Sequence, residues 1–322
     1  MPKVFVTRKI PEAGINLLKQ AGLEVEVSDF DGVLPRETLL QKVKGVDAIL
    51  SLLTDKMNAE VMEAAGSQLK IIANYAVGID NIDLKDAAAH NVIITNTPGV
   101  LTESVAEHAI ALIFAIARKI VESDQYMRDG KYVGWAPMLF LGNDLVGKTL
   151  GLVGLGRIGE AVAKRMYDGF EMKILYYDVN RNQDLEEKYH IEYRDLESLL
   201  EESDFVSIHV PLLPETKHLI GEPQLKMMKK TAYLINTSRG PVVDENALVA
   251  ALKNGDIKGA ALDVYEQEPK MAEGLAQMPN TVLTPHTASA TEETRGAMSE
   301  LAAKNIIEVL NGRPPITPVV PK

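Results

Sequence analysis

Cysteine is absent from this sequence of 322 residues. Its absence excludes disulfide bonds, thiolate nucleophiles and cysteine-ligated metal sites, and it favours a reducing compartment. Long apolar runs are also absent, since the longest one, Ala109–Ala117, is far shorter than the roughly 17 residues that cross a bilayer. The N-terminal run MPKVFVTRKI is strand-like, so no signal peptide is predicted. These features predict a cytoplasmic protein that has no membrane segment and no bound metal.

Basic residues are fewer than acidic residues. Lysine and arginine number 34 against 45 acidic residues, which gives a formal net charge of −11. This charge argues against nucleic acid or an anionic membrane as a partner. An anionic small substrate would therefore need its own positively charged or amide-lined site. The length suits two domains, and the apolar and charged fractions, 46% and 25%, are ordinary for a globular protein.

Short β-rich runs alternate with helical stretches along the chain. The predicted strands are Val4–Thr7, Glu24–Val27, Ala48–Leu52, Lys70–Ala73, Val92–Thr95, Leu150–Val153, Met172–Tyr177, Phe205–His209, Ala232–Ile235, Gly259–Leu262 and Thr281–Thr284. Strands that alternate with helices indicate βαβ units and parallel sheets. The predicted fold is therefore α/β, with two Rossmann-like or flavodoxin-like parallel-sheet domains and a cleft between them.

Two helices bear on the domain boundaries. An apolar-rich helix is predicted over Ser104–Ser123, between the two series of strands, and a last helix over about Thr291–Asn311. We place the hinges near Thr97–Gly99 and just after Thr287. Residues 1–98 and 288–322 would then form one discontinuous domain, and residues 99–287 a second domain inserted into it.

A glycine-rich turn carries the strongest motif. The segment Gly154-Leu155-Gly156-Arg157-Ile158-Gly159 matches G-x-G-x-x-G, follows a buried strand and opens the apolar-periodic helix Glu160–Tyr167. The next predicted strand ends at Asp178, at the distance where Rossmann domains place an acidic residue for the adenosine ribose. The turn would hold the cofactor pyrophosphate at the helix N-terminus. Residues 99–287 are therefore predicted to be the NAD-binding domain, and residues 1–98 with 288–322 the substrate-binding domain.

The residues beyond that second strand bear on the choice between NAD and NADP. Asp178 would accept hydrogen bonds from the ribose hydroxyls and repel a 2′-phosphate, which predicts NADH rather than NADPH. Arg181, three residues further on, works against this prediction, because a nearby arginine can accommodate the phosphate.

Polar residues follow three later strands, at the edge where open α/β sheets gather ligands. They are Arg239 in NTSRG, Glu268 in DVYEQEP and His286 in PHTAS. Reduction of a keto acid needs a proton donor, which histidine can be near neutral pH, and a carboxylate that supports the imidazolium form. It also needs a cation for the substrate carboxylate, a role that suits the planar fork of arginine.

The other histidines receive different interpretations. His90, His108, His190 and His218 are assigned to structural roles, while His209, at the end of a strand, is a candidate for flanking the cofactor.

These motifs resemble the D-isomer-specific 2-hydroxyacid dehydrogenases over essentially the whole chain, and most of all their glyoxylate/hydroxypyruvate reductase branch. The matching stretches are NYAVGIDNID (74–83), NTPGVLTESVAEHA (96–109), GWAPMLFLG (134–142), GKTLGLVGLGRIG (147–159), INTSRGPVVDENAL (235–248) and ALDVYEQEP (261–269). The resemblance implies an NAD-dependent oxidoreductase, expected to be a homodimer, that acts on a small 2-keto acid.

The resemblance also implies roles for individual residues. Arg239 binds the substrate, His286 donates the proton in reduction and Glu268 supports it. The backbone amides of Val77 and Gly78 bind the substrate carboxylate. Further expected cofactor contacts are Gly154, Gly156, Arg157, Ile158, Gly159, Asp178, Thr237, Ser238, Asp263 (to the nicotinamide carboxamide) and Ala288, which stands where many relatives have glycine.

Two further substrate contacts are expected, each with an alternative. Leu53 is a candidate wall of the substrate pocket or a core residue. Trp135, the only tryptophan, lies in a segment that reaches the neighbouring subunit's site in the reductase branch, or it serves as an interface aromatic without substrate contact.

The leading functional hypothesis is reduction of glyoxylate and hydroxypyruvate to glycolate and D-glycerate, with hydride from NADH. A D-lactate or other D-2-hydroxyacid dehydrogenase is the alternative within enzymes. An NAD-sensing binding protein, as the transcriptional corepressors of this superfamily are, is the alternative outside them. Asp178-Val179 replaces a Ser-Arg pair that is common in NADPH-using relatives, which again favours NADH.

Overall fold

A computed structural model of the chain describes residues 1–319. They divide into two compact units, one of Met1–Leu101 together with the segment from Ala290 onward, the other of Thr102–Ser289. Residues 320–322, which belong to the predicted substrate-binding domain, lie outside the described part. No helix within residues 1–319 is long and apolar enough to cross a membrane.

The first unit begins with five strands that alternate with four helices. In chain order these are β1 (Lys3–Val6), α1 (Glu12–Gln20), β2 (Glu24–Val27), α2 (Arg36–Lys42), β3 (Ala48–Ser51), α3 (Ala59–Ala65), β4 (Ile71–Asn74), α4 (Leu84–Ala89) and β5 (Ile93–Thr95). The strands form one parallel sheet in the order β2-β1-β3-β4-β5, which is the flavodoxin-like order. Phe5, Ile49 and Ile72 are fully buried on this sheet.

The second unit contains a longer series. Its elements are α5 (Thr102–Ala117), α6 (Ile120–Arg128), β6 (Thr149–Val153), α7 (Arg157–Phe170), β7 (Lys173–Tyr177), α8 (Gln183–Tyr189), β8 (Glu192–Tyr193), α9 (Leu196–Glu202), β9 (Phe205–Ile208), α10 (Glu222–Met227), β10 (Tyr233–Asn236), α11 (Glu245–Asn254), β11 (Gly259–Leu262) and β12 (Thr281–Leu283). Short 3-10 helices lie at Gly240–Val242 and Leu275–Gln277.

The sheet of the second unit has seven parallel strands in the order β12-β11-β10-β9-β6-β7-β8. The strand order reverses between β6 and β9, and ligands of open α/β sheets bind at such a switch point, beyond the carboxyl ends of the strands. Two parallel-sheet α/β domains are therefore confirmed, and each strand predicted from the sequence lies within one residue of its observed bounds at either end.

A last helix, α12 (Glu292–Leu310), completes the first unit. It packs closely on α1, because a Cβ atom at Gly14 would lie 2.3 Å from the carbonyl oxygen of Ser299. The Ser299 hydroxyl accepts a hydrogen bond from the Gly14 amide (3.0 Å) and donates one to the Pro11 carbonyl (2.7 Å).

The helix predicted over Ser104–Ser123 is two helices, so that prediction is wrong. Lys119 adopts a left-handed conformation (φ +53°) between α5 and α6 and ends the first of them. The apolar face of α5 packs inside the second unit, where Ile113 and Ala117 are fully buried. Other positions of the helix are less buried, since Ala111 is exposed and Ile110 and Phe114 are half-buried.

Candidate active site

The predicted catalytic residues lie beyond the carboxyl ends of three adjacent strands. Arg239 follows β10, Glu268 lies in the loop after β11 and His286 follows β12. The glycine-rich turn follows β6 at the same edge of this parallel sheet. The topology thus gathers the two groups of motifs, which are far apart in the sequence, at one edge.

His286 and Glu268 are hydrogen-bonded to each other. Nδ1 of His286 lies 2.9 Å from Oε2 of Glu268, and the other carboxylate oxygen accepts the Tyr265 amide at 3.1 Å. Burial alone would raise the pKa of Glu268, but the bond from His286, its positive charge, the Tyr265 amide and the charge of Arg239 together lower it. An ionised carboxylate only accepts hydrogen bonds, so Nδ1 carries the proton and Nε2 is left for a ligand.

Asp263 holds the backbone of the His286 loop. Its carbonyl accepts the His286 amide at 2.8 Å, and its carboxylate accepts the amides of Thr287 and Ala288, each at 2.8 Å. His286 has a φ of +54°, a region that costs free energy for a residue other than glycine. These three consecutive hydrogen bonds hold the strained conformation that directs the imidazole.

The carboxylate of Asp263 is itself fully buried. Burial would raise its pKa, yet hydrogen bonds from His108, Thr284, Thr287 and Ala288 outweigh burial and lower it. Nε2 of His108 lies 3.4 Å from Oδ1 of Asp263. The sequence gives no sign of this contact, because His108 lies on a helix far from the motif in the chain.

A buried asparagine shapes the Arg239 turn. Oδ1 of Asn236 accepts the amide (3.0 Å) and hydroxyl (2.8 Å) of Ser238, and its Nδ2 donates to the Arg239 carbonyl at 3.0 Å. The Arg239 guanidinium donates to the Ser238 carbonyl at 2.8 Å. Asn236 is a residue of the site that the sequence analysis missed, since a polar residue at a strand end carries no distinctive signal.

Gly240 lets the Arg239 turn approach the loop that carries Glu268. A Cβ atom at this position would lie 1.9 Å from the backbone carbonyl of Tyr265, so no side chain fits there. This close approach places the positive charge of Arg239 where it contributes to the lowered pKa of Glu268.

The three glycines of the fingerprint have different surroundings. Gly154 has a φ of +101°, which a tight turn requires. A Cβ at Gly156 would meet no atom within 4 Å, whereas one at Gly159 would lie 2.3 Å from the Gly154 carbonyl oxygen. The second position thus leaves open space for a ligand and the third brings helix and strand together. Arg157 and Ile158 begin α7, whose first amides have no acceptor within the helix.

Asp178 and Arg181 lie beside a cavity of about 440 Å³ next to this turn. The lining residues are Leu155, Gly156, Asp178, Asn180, Arg181, Asn182, Gln183 and Asp184. The Asp178 carboxylate accepts a hydrogen bond from the Leu155 amide at 2.8 Å and therefore lies next to the glycine turn. The volume is within the range of small-molecule sites, about 300–1,000 Å³.

The residues present fit a dinucleotide. Thr237 is 8% exposed, and its hydroxyl has no hydrogen-bond partner among residues 1–319. Buried polar atoms are normally paired, so an unpaired one at a ligand-binding edge is accounted for by a bound group. The open space at Gly156 and the cavity beside Asp178 fit the pyrophosphate and ribose of the same ligand.

The substrate residues expected in the first unit lie on two turns that are joined by side-chain amides. Nδ2 of Asn81 donates to the carbonyls of Leu52 (3.0 Å) and Asp55 (2.9 Å) and also pairs with Asn74. Asn74 in turn donates to the Gly78 carbonyl at 2.9 Å. This network connects the turn that contains the half-buried Leu53 to the turn of Val77 and Gly78.

The amides of Val77 and Gly78 meet one requirement for binding an anion. Nδ2 of Asn96 donates to the Val77 carbonyl at 2.8 Å, so both carbonyls are held by asparagine side chains. Neither backbone amide donates a hydrogen bond within residues 1–319.

Trp135 is 83% exposed, and no hydrogen bond or ring contact in the described part of the chain joins it to Arg239, Glu268 or His286. It belongs to an exposed apolar segment of the second unit. Other exposed apolar residues there are Ile120, Val121, Met127, Tyr132, Val133, Met138, Leu139, Leu141 and Val146.

His209 lies behind the glycine turn. A Cβ at Gly154 would lie 2.9 Å from its backbone carbonyl carbon, and its Nε2 lies 2.9 Å from the Ser207 hydroxyl. Burial lowers the pKa of His209 to about 4, so its imidazole is neutral near pH 7.

Comparison with known proteins relates this chain to one family. Residues 110–288 match the family model described as the NAD-binding domain of D-isomer specific 2-hydroxyacid dehydrogenases. A glyoxylate reductase of Thermococcus litoralis is 54% identical over 98% of this chain and 95% of its own.

Solved structures agree with that relationship. A protein from Thermus thermophilus is 44% identical, with a TM-score of 0.92 over 99% of this chain and 100% of its own. An NADPH-dependent glyoxylate/hydroxypyruvate reductase from Sinorhizobium meliloti, solved with NADP and malonate, is 34% identical, with a TM-score of 0.86 over 99% of this chain and 97% of its own.

Proposed function

Because this chain belongs to the D-isomer-specific 2-hydroxyacid dehydrogenase family, we propose that it reduces glyoxylate and hydroxypyruvate to glycolate and D-glycerate with NADH. The family membership expected from the sequence is confirmed, and the chain is an oxidoreductase that acts on a CH–OH group. The observation that carries the proposal is the His286–Glu268 hydrogen bond in a chain half identical to a glyoxylate reductase.

In the proposed reaction His286 supplies the proton. The Glu268 carboxylate favours the protonated imidazole and holds Nδ1, so that Nε2 donates a proton to the keto oxygen. The Arg239 guanidinium binds the substrate carboxylate and polarises the carbonyl. When bound, the nicotinamide supplies the hydride that the keto carbon receives. One hydride and one proton convert the keto acid to the hydroxy acid.

The two units have different parts in the proposal. Residues 1–98 and 288–322 bind the substrate, with the Val77 and Gly78 amides on its carboxylate and Leu53 as a wall. Residues 99–287 bind the cofactor, with its pyrophosphate on the turn from Gly154 to Gly159.

The nicotinamide end of the cofactor is assigned to a second group of residues. Thr237, Ser238 and Ala288 line its site. The carboxamide contact is assigned to Asp263, whose Oδ2 accepts the Ala288 amide.

We further propose that NADH is preferred over NADPH. Asp178 stands at the cavity beside the glycine turn, where its charge would repel a 2′-phosphate. The guanidinium of Arg181, the residue that works against this preference, is bound to Glu186 at 2.8 and 2.7 Å. The related reductase from Sinorhizobium meliloti is NADPH-dependent, so the preference needs its own test.

A homodimer is the proposed assembly, and the exposed apolar segment that contains Trp135 supports it. Contiguous exposed apolar surface marks interaction sites in folded proteins. Trp135→Asp and Val133→Asp together should convert the dimer to a monomer in sedimentation experiments. Lys131→Asp, a polar residue of the same segment, is the control and should leave the dimer intact. A wild-type monomer would contradict this assembly.

Initial rates test the function. NADH and NADPH oxidation would be followed at neutral pH with glyoxylate, hydroxypyruvate, pyruvate and phenylpyruvate. A preference for NADH with glyoxylate or hydroxypyruvate supports the proposal, and a preference for pyruvate or phenylpyruvate replaces its substrate. Turnover below about 0.1 per second with every acid, where enzymes run at about 1–1,000 per second, would favour the NAD-sensing alternative.

A further inference from the structure

The cavity beside Asp178 carries charges of both signs. Asp178 and Asp184 supply carboxylates to its lining and Arg181 supplies a guanidinium. A free arginine at this place would attract the 2′-phosphate that distinguishes NADPH from NADH. The partner that holds Arg181 therefore affects which cofactor binds.

Glu186, on α8, holds Arg181 through two hydrogen bonds. Nε of Arg181 donates to Oε1 at 2.8 Å and an Nη atom donates to Oε2 at 2.7 Å. This is the bidentate geometry in which arginine–carboxylate pairs are strongest. The guanidinium also lies 6.0 Å from the centre of the Tyr193 ring, which helps to orient it.

Glu186 is in turn held by the side chain of Tyr176. The Tyr176 hydroxyl donates to Oε1 of Glu186 at 2.6 Å and accepts the Asn182 amide at 2.8 Å. The Glu186 side chain is 14% exposed, against 57% for Arg181. The carboxylate is therefore the fixed member of the pair and determines where the guanidinium lies.

We propose that Glu186 is a specificity-determining residue, which excludes NADPH by binding the arginine that would otherwise receive the 2′-phosphate. This inference rests on the proposed preference for NADH. Glu186 opposes the phosphate because it occupies the guanidinium. Asp178, in the lining of the cavity, opposes the phosphate directly.

Calorimetric binding of ADP-ribose and of its 2′-phosphate, the adenosine halves of NAD and NADP, tests the proposal without turnover. Glu186→Gln should raise the affinity for the 2′-phosphate about tenfold relative to that for ADP-ribose, since a charge-assisted bond to phosphate becomes available. The matched control is Glu187→Gln, which removes the same charge from the next, exposed position of α8. It should change the ratio about twofold at most, because charges in solvent are screened.

Two further variants separate the effect from a loss of structure. Arg181→Gln combined with Glu186→Gln should abolish the gain, since the phosphate then has no guanidinium to bind. Tyr176→Phe, which removes one of the bonds that hold Glu186, should give a smaller gain in the same direction.

Equal ratios for Glu186→Gln and Glu187→Gln would overturn the inference, as would a gain that persists without Arg181. A wild-type protein that binds the 2′-phosphate more tightly than ADP-ribose would instead contradict the proposed NADH preference. The two failures are therefore distinguishable.

Discussion

Nδ1 of His286 lies 2.9 Å from Oε2 of Glu268, and each residue is held by a different set of contacts. Asp263 holds the His286 loop, and the Tyr265 amide holds Glu268. Catalytic geometry depends on such supporting contacts, because small displacements of a reacting group reduce the rate strongly.

Glu268→Gln tests the support of the imidazole. The amide lacks the charge that favours protonated His286, so kcat for glyoxylate reduction should fall at least about tenfold. Glu266→Gln, whose partner is His218 at 2.8 Å, is the control in the same loop. A Glu268→Gln enzyme that turns over as fast as the wild type would refute the role.

Gly240→Ala tests the close approach of the two loops. Its Cβ would lie 1.9 Å from the Tyr265 carbonyl, so the Arg239 turn has to move. The expected result is a loss of about a hundredfold in kcat/KM for glyoxylate and a lower melting temperature. Gly169→Ala, where a Cβ meets no atom within 4 Å, should behave as wild type. A fully active Gly240→Ala enzyme would show that the approach is unimportant.

Asp263→Asn tests the buried carboxylate through stability. A carboxyl whose pKa is lowered on folding stabilises the protein above its unfolded-state pKa, about 3.9, and this contribution is lost as the pH falls through the folded-state pKa. The variant should therefore be less stable by about 2 kcal/mol at pH 7, and the difference should shrink below about pH 4. Thermal unfolding across pH measures it, with the exposed Asp168→Asn as control. A difference independent of pH would contradict this explanation.

Asn81→Ala tests the connection between the two turns of the first unit. Without its hydrogen bonds to Leu52 and Asp55, the turn of Val77 and Gly78 is less well fixed. We expect the KM for glyoxylate to rise about tenfold, which corresponds to about one lost hydrogen bond to a charged group. The dissociation constant of NADH should stay unchanged. Asn311→Ala, an exposed asparagine at the end of α12, should leave both values as in the wild type, and equal changes in both would indicate a general structural defect.

The sequence predicts the strands well and the break between α5 and α6 not at all. Alternating apolar runs and turns mark each long strand, but β8 has only two residues and lacks a periodic signal. Arg118 and Lys119 continue a helical pattern. Lys119 adopts the left-handed conformation, which is usual for glycine or asparagine, so its residue type does not indicate the end of a helix.

The supporting residues of the candidate site are harder to predict than the catalytic candidates. Arg239, Glu268 and His286 stand out by their chemistry and by their position after strands. Asn236 acts through a hydrogen bond to a backbone carbonyl within a turn. His108 acts through a contact with Asp263, which is distant in the chain. Such contacts depend on the packed sheet, so local sequence patterns do not contain them.

The most direct test is His286→Asn, measured as glyoxylate-dependent oxidation of NADH together with the dissociation constant of NADH. His218→Asn, which removes another carboxylate-bound histidine of this unit, is the matched control. We predict that His286→Asn loses at least about a hundredfold in kcat while it binds NADH as the wild type does, and that His218→Asn retains its turnover. Near-normal turnover of His286→Asn would contradict the account.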